Sequence, residues 1–184
     1  MNSNGSNYEA SFERWKSLIE QGNQAYSQRR YAAAEAAFGE ALKEAEGWPT
    51  RGAGEIQEEL DSRLTKSLNN LAALYHSQGK YRMAEDLYQK ALEIKRRIYP
   101  EENEEVALAL QNLAVLYSAK RDYPQAEAYF IQALRIREKV LPPNHADLAR
   151  TLQGYAMLLN KLERKDEAQA LETRATKILS SENA

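Results

Sequence analysis

Two stretches of the chain, SLNNLAALYHSQGKYRMAEDLYQKALEIKRRIYPEEN from Ser67 and ALQNLAVLYSAKRDYPQAEAYFIQALRIREKVLPPNH from Ala109, align without a gap at an offset of 42 residues. Self-similarity at such a period restricts the fold more than any other feature, because one short unit cannot bury its own apolar face and must stack on its neighbours. The same offset carries Leu110 to Leu152, Ala114 to Ala156, Ala126 to Ala168 and Ala133 to Ala175, so a further copy begins near Arg150. An earlier copy is displaced by 50 residues, with Tyr31, Ala34, Phe38 and Ala41 preceding Tyr81, Ala84, Tyr88 and Ala91. Eight residues are therefore inserted between the first and second copies.

Within each copy the apolar residues are spaced for helices. Leu68, Leu71, Ala72 and Tyr75 follow the i, i+3, i+4, i+7 pattern, as do Leu110, Leu113, Ala114 and Tyr117. These stripes predict an A helix. After a polar break, HSQGK or SAKRD, a second stripe runs through Tyr81, Ala84, Tyr88, Ala91 and Leu92, or Tyr123, Ala126, Phe130, Ala133 and Leu134, and predicts a B helix. Small residues at Ala72, Ala84 and Ala91 let helix axes approach, and aromatic residues fill the space beside them. Pro124 falls in a first turn, where its missing N–H costs nothing. Pro100, Pro142 and Pro143 mark the ends of the long B helices, and the cations of EIKRR and RIREK stand where the helix dipole favours them. Asp61, Asn103 and Asn144 precede the following A helices as expected N-caps.

Composition agrees. Ala, Leu, Glu, Gln, Lys and Arg dominate, Gly and Pro number only 8 and 5, and 43% hydrophobic content is enough for a packed core. A formal net charge of −2 gives no field that would draw nucleic acid or an anionic membrane. The absence of Cys removes disulfides, thiol nucleophiles and cysteine metal sites. With no apolar stretch of spanning length and no basic n-region in MNSNGSNYEAS, a cytoplasmic location is expected.

The alternation of small and aromatic residues, with Gly22 and Asn23 in the first copy, resembles the tetratricopeptide repeat, and the 42-residue period with LNNLAALYHSQGKYRMAEDLYQKALEI resembles its kinesin-light-chain subclass. The resemblance covers about residues 15–182. It implies an all-α, right-handed α-α superhelix, a solenoid of four helix-turn-helix repeats at about 15–48, 65–98, 107–140 and 149–182. The expected layout is a disordered tail over 1–8, a single repeat domain over 9–184 and an inserted loop over about 47–60, GWPTRGAGEIQEEL, whose tail is an alternative early start for the next helix. Lys165 and Glu172 stand where earlier copies have aromatic residues, so the last B helix is expected to face water and close the stack. No long heptad segment accompanies the repeats, and the resemblance is not extended to a motor role.

The resemblance also implies that A helices line a concave groove that holds a protein or peptide. Its candidate residues are Lys16, Asn23 and Tyr26 in the first copy, and Lys66, Asn69, Asn70, Ala73 and His76 in the second. The third copy offers Gln111, Asn112, Val115 and Ser118, and the fourth Arg150, Gln153, Met157 and Asn160. Amides pair with both the N–H and C=O groups of an extended backbone. Asn70 and Asn112 resemble the recurrent asparagine of the subclass, while Lys16, Lys66 and Arg150 favour an acidic segment or a carboxylate terminus. The set of Lys, Asn and Arg residues that clamps chaperone tails in some relatives is not matched, since Ile19 and Leu108 stand where basic residues are needed and Asn112 where an Arg is.

The expected function is a protein–protein interaction scaffold or adaptor, and the alternative is a homo-oligomerising module with no groove ligand. No enzyme is expected, nor any cofactor, metal, nucleic-acid partner or membrane insertion. His76 and His145 are the only histidines, and no HExxH, P-loop, GxGxxG or GxSxG string occurs. His145 in PPNHAD reads as a capping or loop residue, and the abundant carboxylates read as solvated helix surface.

Overall fold

A computed structural model describes residues 3–47 and 55–181. Eight α-helices follow one another among the described residues: α1 (Ser3–Ser27), α2 (Tyr31–Glu46), α3 (Glu55–Ser77), α4 (Tyr81–Ile98), α5 (Glu104–Ala119), α6 (Tyr123–Val140), α7 (Ala146–Lys161) and α8 (Lys165–Ser181). Each odd-numbered helix pairs with the next as a repeat, so the expected all-α helix-turn-helix architecture is present. The chain forms two compact units, Met1–Ile94 and Lys95–Ala184, and α4 ends inside the second.

The four A-to-B turns are built alike. Arg29, Gly79, Arg121 and Glu163 occupy one repeat position, and all adopt the left-handed region, with φ of 57°, 72°, 64° and 59°. In each, the N–H of the following residue reaches back over the turn, from Arg30 to Ala25, Lys80 to Tyr75, Asp122 to Tyr117 and Arg164 to Leu159, at 2.9–3.0 Å. This 6→1 bond closes a Schellman motif and satisfies a carbonyl that the helix end would leave open. Asp122 caps α6 by accepting from the Gln125 N–H, and Pro124 lies in the first turn as expected.

In the first unit α2 packs against both α1 and α3. Ala34, Phe38 and Ala41 of α2 are buried, as are Ile19 and Ala25 of α1 and Leu68, Leu71 and Ala72 of α3. Gly22 lies hard against Phe38: a Cβ there would stand 2.3 Å from Phe38 Cε1, which explains a residue without one.

Three expectations fail in this unit. The helix α1 begins at Ser3, so the segment from Ser3 to Tyr8 is not a disordered tail; Met1 and Asn2 lie outside the described residues. Of the expected loop over 47–60, residues 48–54 lie outside the described residues, while Glu55 to Leu60 form the start of α3. Asp61 is consequently not an N-cap but a buried residue inside that helix. The physical reason lies in Arg63 of α3, only 4% exposed. Its Nη2 donates to Tyr8 Oη at 2.7 Å and to Glu59 Oε1 at 2.5 Å, and its guanidinium lies 4.1 Å from the Phe12 ring centroid and 4.8 Å from that of Tyr8. Trp15 adds an indole N–H bond to Ser67 Oγ at 2.8 Å. Cation–π contacts and a charge-assisted pair thus fasten the added turns of α1 to those of α3.

In the second unit α5 packs on α6, α6 on α7 and α7 on α8. Leu110, Leu113, Ala114, Phe130, Leu152, Ala156, Ala168 and Ala175 are fully buried, so the equivalent repeat positions do equivalent work. Asn103 caps α5, its side chain accepting from the Glu105 N–H at 2.8 Å. The cap of α7 is His145 rather than Asn144: Nδ1 of His145 accepts from the Asp147 N–H at 3.1 Å. Two cations of EIKRR and RIREK do more than face a helix dipole. Lys95 is buried and donates to Glu105 at 2.7 Å, and Arg137, 2% exposed, pairs with Glu104 at 2.8 Å. Of the two residues on which the last B helix is expected to face water, Lys165 is exposed, while Glu172 is half-buried and accepts from Asn160 Nδ2 at 3.1 Å; Gln169, Thr173 and Thr176 of α8 are exposed.

Candidate functional site: exposed faces of the A helices

On α5 the buried stripe leaves Leu108, Gln111, Asn112 and Val115 as a second stripe at helical spacing. Leu108 is 40% and Val115 41% exposed, and Met157 on the adjacent helix α7 is 65% exposed. Val115 and Met157 occupy the same repeat position, so neighbouring A helices present these large apolar side chains on corresponding faces. Asn112 is half-buried between them in the stripe and has no side-chain hydrogen bond among the described residues. The equivalent position on α7 is Gly154, whose missing Cβ accommodates Phe130: a Cβ there would lie 2.9 Å from Phe130 Cε1. The asparagine that recurs at Asn70 and Asn112 is therefore displaced on α7 by packing.

The remaining candidates of this unit have protein partners. Gln111 accepts through Oε1 from Arg137 Nη1, and Thr151 Oγ1 stands 3.3 Å from the same oxygen while donating to the Asp147 carbonyl at 2.9 Å. Ser118 Oγ accepts from Lys161 Nζ at 3.0 Å. Asn160 donates to Glu172 at 3.1 Å, and Arg150 is paired with Asp147, which compensates the charge expected to attract an acidic ligand. Gln153 is exposed.

In the first unit Lys16, Asn23 and Tyr26 of α1 are exposed, with Tyr26 packed edgewise on Tyr31 at 6.0 Å between centroids. Lys66 of α3 is exposed and its Nζ lies 5.6 Å from the Trp15 ring centroid. Neither Lys16 nor Lys66 forms an ion pair among the described residues, so this face carries two uncompensated cations. Asn69 and Asn70 are half-buried, and the Asn69 Oδ1 atom is buried without a hydrogen-bond partner. Ala73, the repeat equivalent of Val115, is exposed but small. His76 packs against Tyr81 at 5.9 Å, and burial holds its imidazole below the ordinary value, so it is neutral at pH 7.

Two features lay beyond sequence reasoning. Leu108, noted only as a missing basic residue, adds apolar surface to the α5 face, a role its period places on the same stripe as Val115. Arg137 reaches Gln111 from α6 and governs it, and no local spacing connects the two. Among the described residues no group of three His, Asp or Glu side chains could hold a metal ion, and no helix is long and apolar enough to cross a membrane.

A tetratricopeptide repeat family model matches residues 63–139 and 105–181. A crystal structure of BtubC (BKLC) from P. vanneervenii superposes with a TM-score of 0.62 at 22% identity, over 92% of this chain and 81% of that one. The apo form of RapI superposes with a TM-score of 0.74 at 19% identity, over 93% of this chain but only 44% of RapI. No curated protein matches significantly.

Proposed function

Because the chain belongs to the tetratricopeptide repeat family, of the kinesin-light-chain-like kind, we propose that its interaction scaffold works through the exposed A-helix faces, holding an extended protein segment. The observation that carries this reading is the coincidence on α5 and α7 of exposed large apolar side chains, Leu108, Val115 and Met157, with the amide of Asn112. Exposed apolar surface interleaved with unpaired amide groups suits a ligand that offers both side chains and an open backbone. Fold alone does not determine a task, and the reading rests on this face. The two uncompensated lysines of the first unit, Lys16 and Lys66, make an acidic segment the favoured ligand there. The cytoplasm is the proposed location. Assembly through the last helix has less to support it, since the outward side of α8 is polar.

The test is affinity capture from the source cells with wild type and with Val115→Asp/Met157→Asp. Both sites are exposed, so folding should survive, which circular dichroism checks. The reading expects a protein retained by wild type and lost by the variant, and equal retention by both overturns it.

A further inference from the structure

The amide of Gln111 has its orientation decided by its neighbours. Its Oε1 accepts from Nη1 of Arg137, while Oγ1 of Thr151, 3.3 Å away, gives its single proton to the Asp147 carbonyl at 2.9 Å. A guanidinium carries donors only, so the amide oxygen must face it; the reversed amide would set an NH2 group against a cation and forfeit a charge-assisted bond. Arg137 cannot turn away to relieve this. Glu104 holds it through Nε at 3.1 Å and Nη2 at 2.8 Å, and the Asp147 carbonyl accepts from Nη1 at 3.0 Å. That leaves the Nε2 group of Gln111, a half-buried residue of the α5 stripe, with no acceptor among the described residues.

We infer that Gln111 is a fixed hydrogen-bond donor of the α5 and α7 face, that Arg137 is its positioning residue, and that it takes a main-chain carbonyl oxygen of the bound segment. The inference rests on the peptide reading above and adds a polarity to it. Neighbouring Asn112 has no such anchor and can present either end of its amide. Gln153, the repeat equivalent on α7, is exposed without an anchor. A carbonyl fits better than a carboxylate, because Glu104 already compensates the Arg137 charge and leaves no net positive field at the position.

The experiment selects random linear peptides displayed on phage against the wild-type chain, then measures the Kd of an enriched peptide for wild type, Gln111→Glu and Gln153→Glu. Gln111→Glu keeps an oxygen for Arg137 but removes both donors. The inference expects its Kd to rise roughly tenfold with the melting temperature retained, while Gln153→Glu stays within about twofold. The same ratio is expected for a version of the peptide whose acidic side chains are changed to amides, which separates a lost donor from charge repulsion. Gln111→Met serves as a second variant without donors should the first fail to fold. Unchanged affinity in Gln111→Glu or Gln111→Met, or a loss that vanishes with the neutralised peptide, overturns the donor role and leaves the peptide reading standing. A selection that enriches nothing overturns the peptide reading itself and the donor role with it.

Discussion

Glu127 accepts the hydroxyl of Tyr155 at 2.6 Å, tying α7 to the B helix that precedes it. Glu35 accepts from Tyr75 at 3.0 Å in the first unit, although the two tyrosines occupy different repeat positions. A cation completes each cluster, Arg164 at 2.6 Å from Glu127 and Lys80 at 3.3 Å from Glu35. What repeats is thus the glutamate of the B helix with its cation, Lys80 and Arg164 sharing one repeat position, while the hydroxyl is supplied from whichever turn of the next A helix can reach.

Two buried phenols, Tyr155 and Tyr88, should make stability fall at alkaline pH. Burial, aided by the Glu127 carboxylate, pushes the Tyr155 phenol up to about 12, and burial does the same to Tyr88. A phenol that holds its proton more tightly folded than unfolded contributes stability that is complete below about pH 10 and is lost as pH rises towards the folded value. Urea unfolding followed between pH 9 and 12 should show a falling midpoint above about pH 10, and Tyr155→Phe should make that fall shallower.

Gly22→Ala and Gly39→Ala should act in opposite directions. The first places a Cβ 2.3 Å from Phe38 Cε1 and forces a buried ring to shift, at a cost of about 1–3 kcal/mol. The second meets nothing within 4 Å in the middle of α2 and should stabilise by up to about 1 kcal/mol. Denaturant midpoints of the two variants check both signs.

The left-handed position of the turns gives a matched pair. Gly79→Ala should destabilise by about 1 kcal/mol, because an L side chain is strained at φ 72°. Arg121→Gly should be neutral or stabilising by a similar amount, since Arg121 already bears that strain at φ 64°. Thermal melts distinguish them, and equal effects would contradict the strain argument.

Buried and exposed arginines should differ sharply. Arg137→Ala and Arg63→Ala remove a buried side chain with the hydrogen bonds and packing it makes, and each should cost about 1–3 kcal/mol, since Glu104 and Glu59 keep access to water. Arg174→Ala breaks an exposed pair with Glu138 and should cost under about 1 kcal/mol. For Arg63→Ala, hydrogen exchange should also quicken in the early turns of α1, which the aromatic contacts to Arg63 hold in place.

The periodic part of the fold was readable because each buried position recurs: Leu68 with Leu110 and Leu152, Ala84 with Ala126 and Ala168. The parts that escaped occur once. Tyr8, Phe12 and Trp15 find their partners, Arg63 first among them, on α3 some fifty residues away, so nothing local distinguished the start of α1 from a tail. The insert was legible as a length and its tail as an early helix start, but where within 47–60 α3 begins was not legible. Within the candidate site, exposure of Val115, Met157 and Asn112 follows from helical phase. The commitment of Gln111 to Arg137, of Arg150 to Asp147 and of Asn160 to Glu172 depends on side chains from other turns and helices, which periodicity does not report.

The central claim is that the α5 and α7 face holds a protein segment. The most direct measurement places a photoreactive amino acid at Met157 and, separately, at Ile131, a residue 49% exposed on α6, and irradiates each protein in the source cells. The account predicts a discrete crosslinked species from position 157 and none from position 131. Crosslinking from position 131 alone would contradict it and transfer the interaction surface to the B helices.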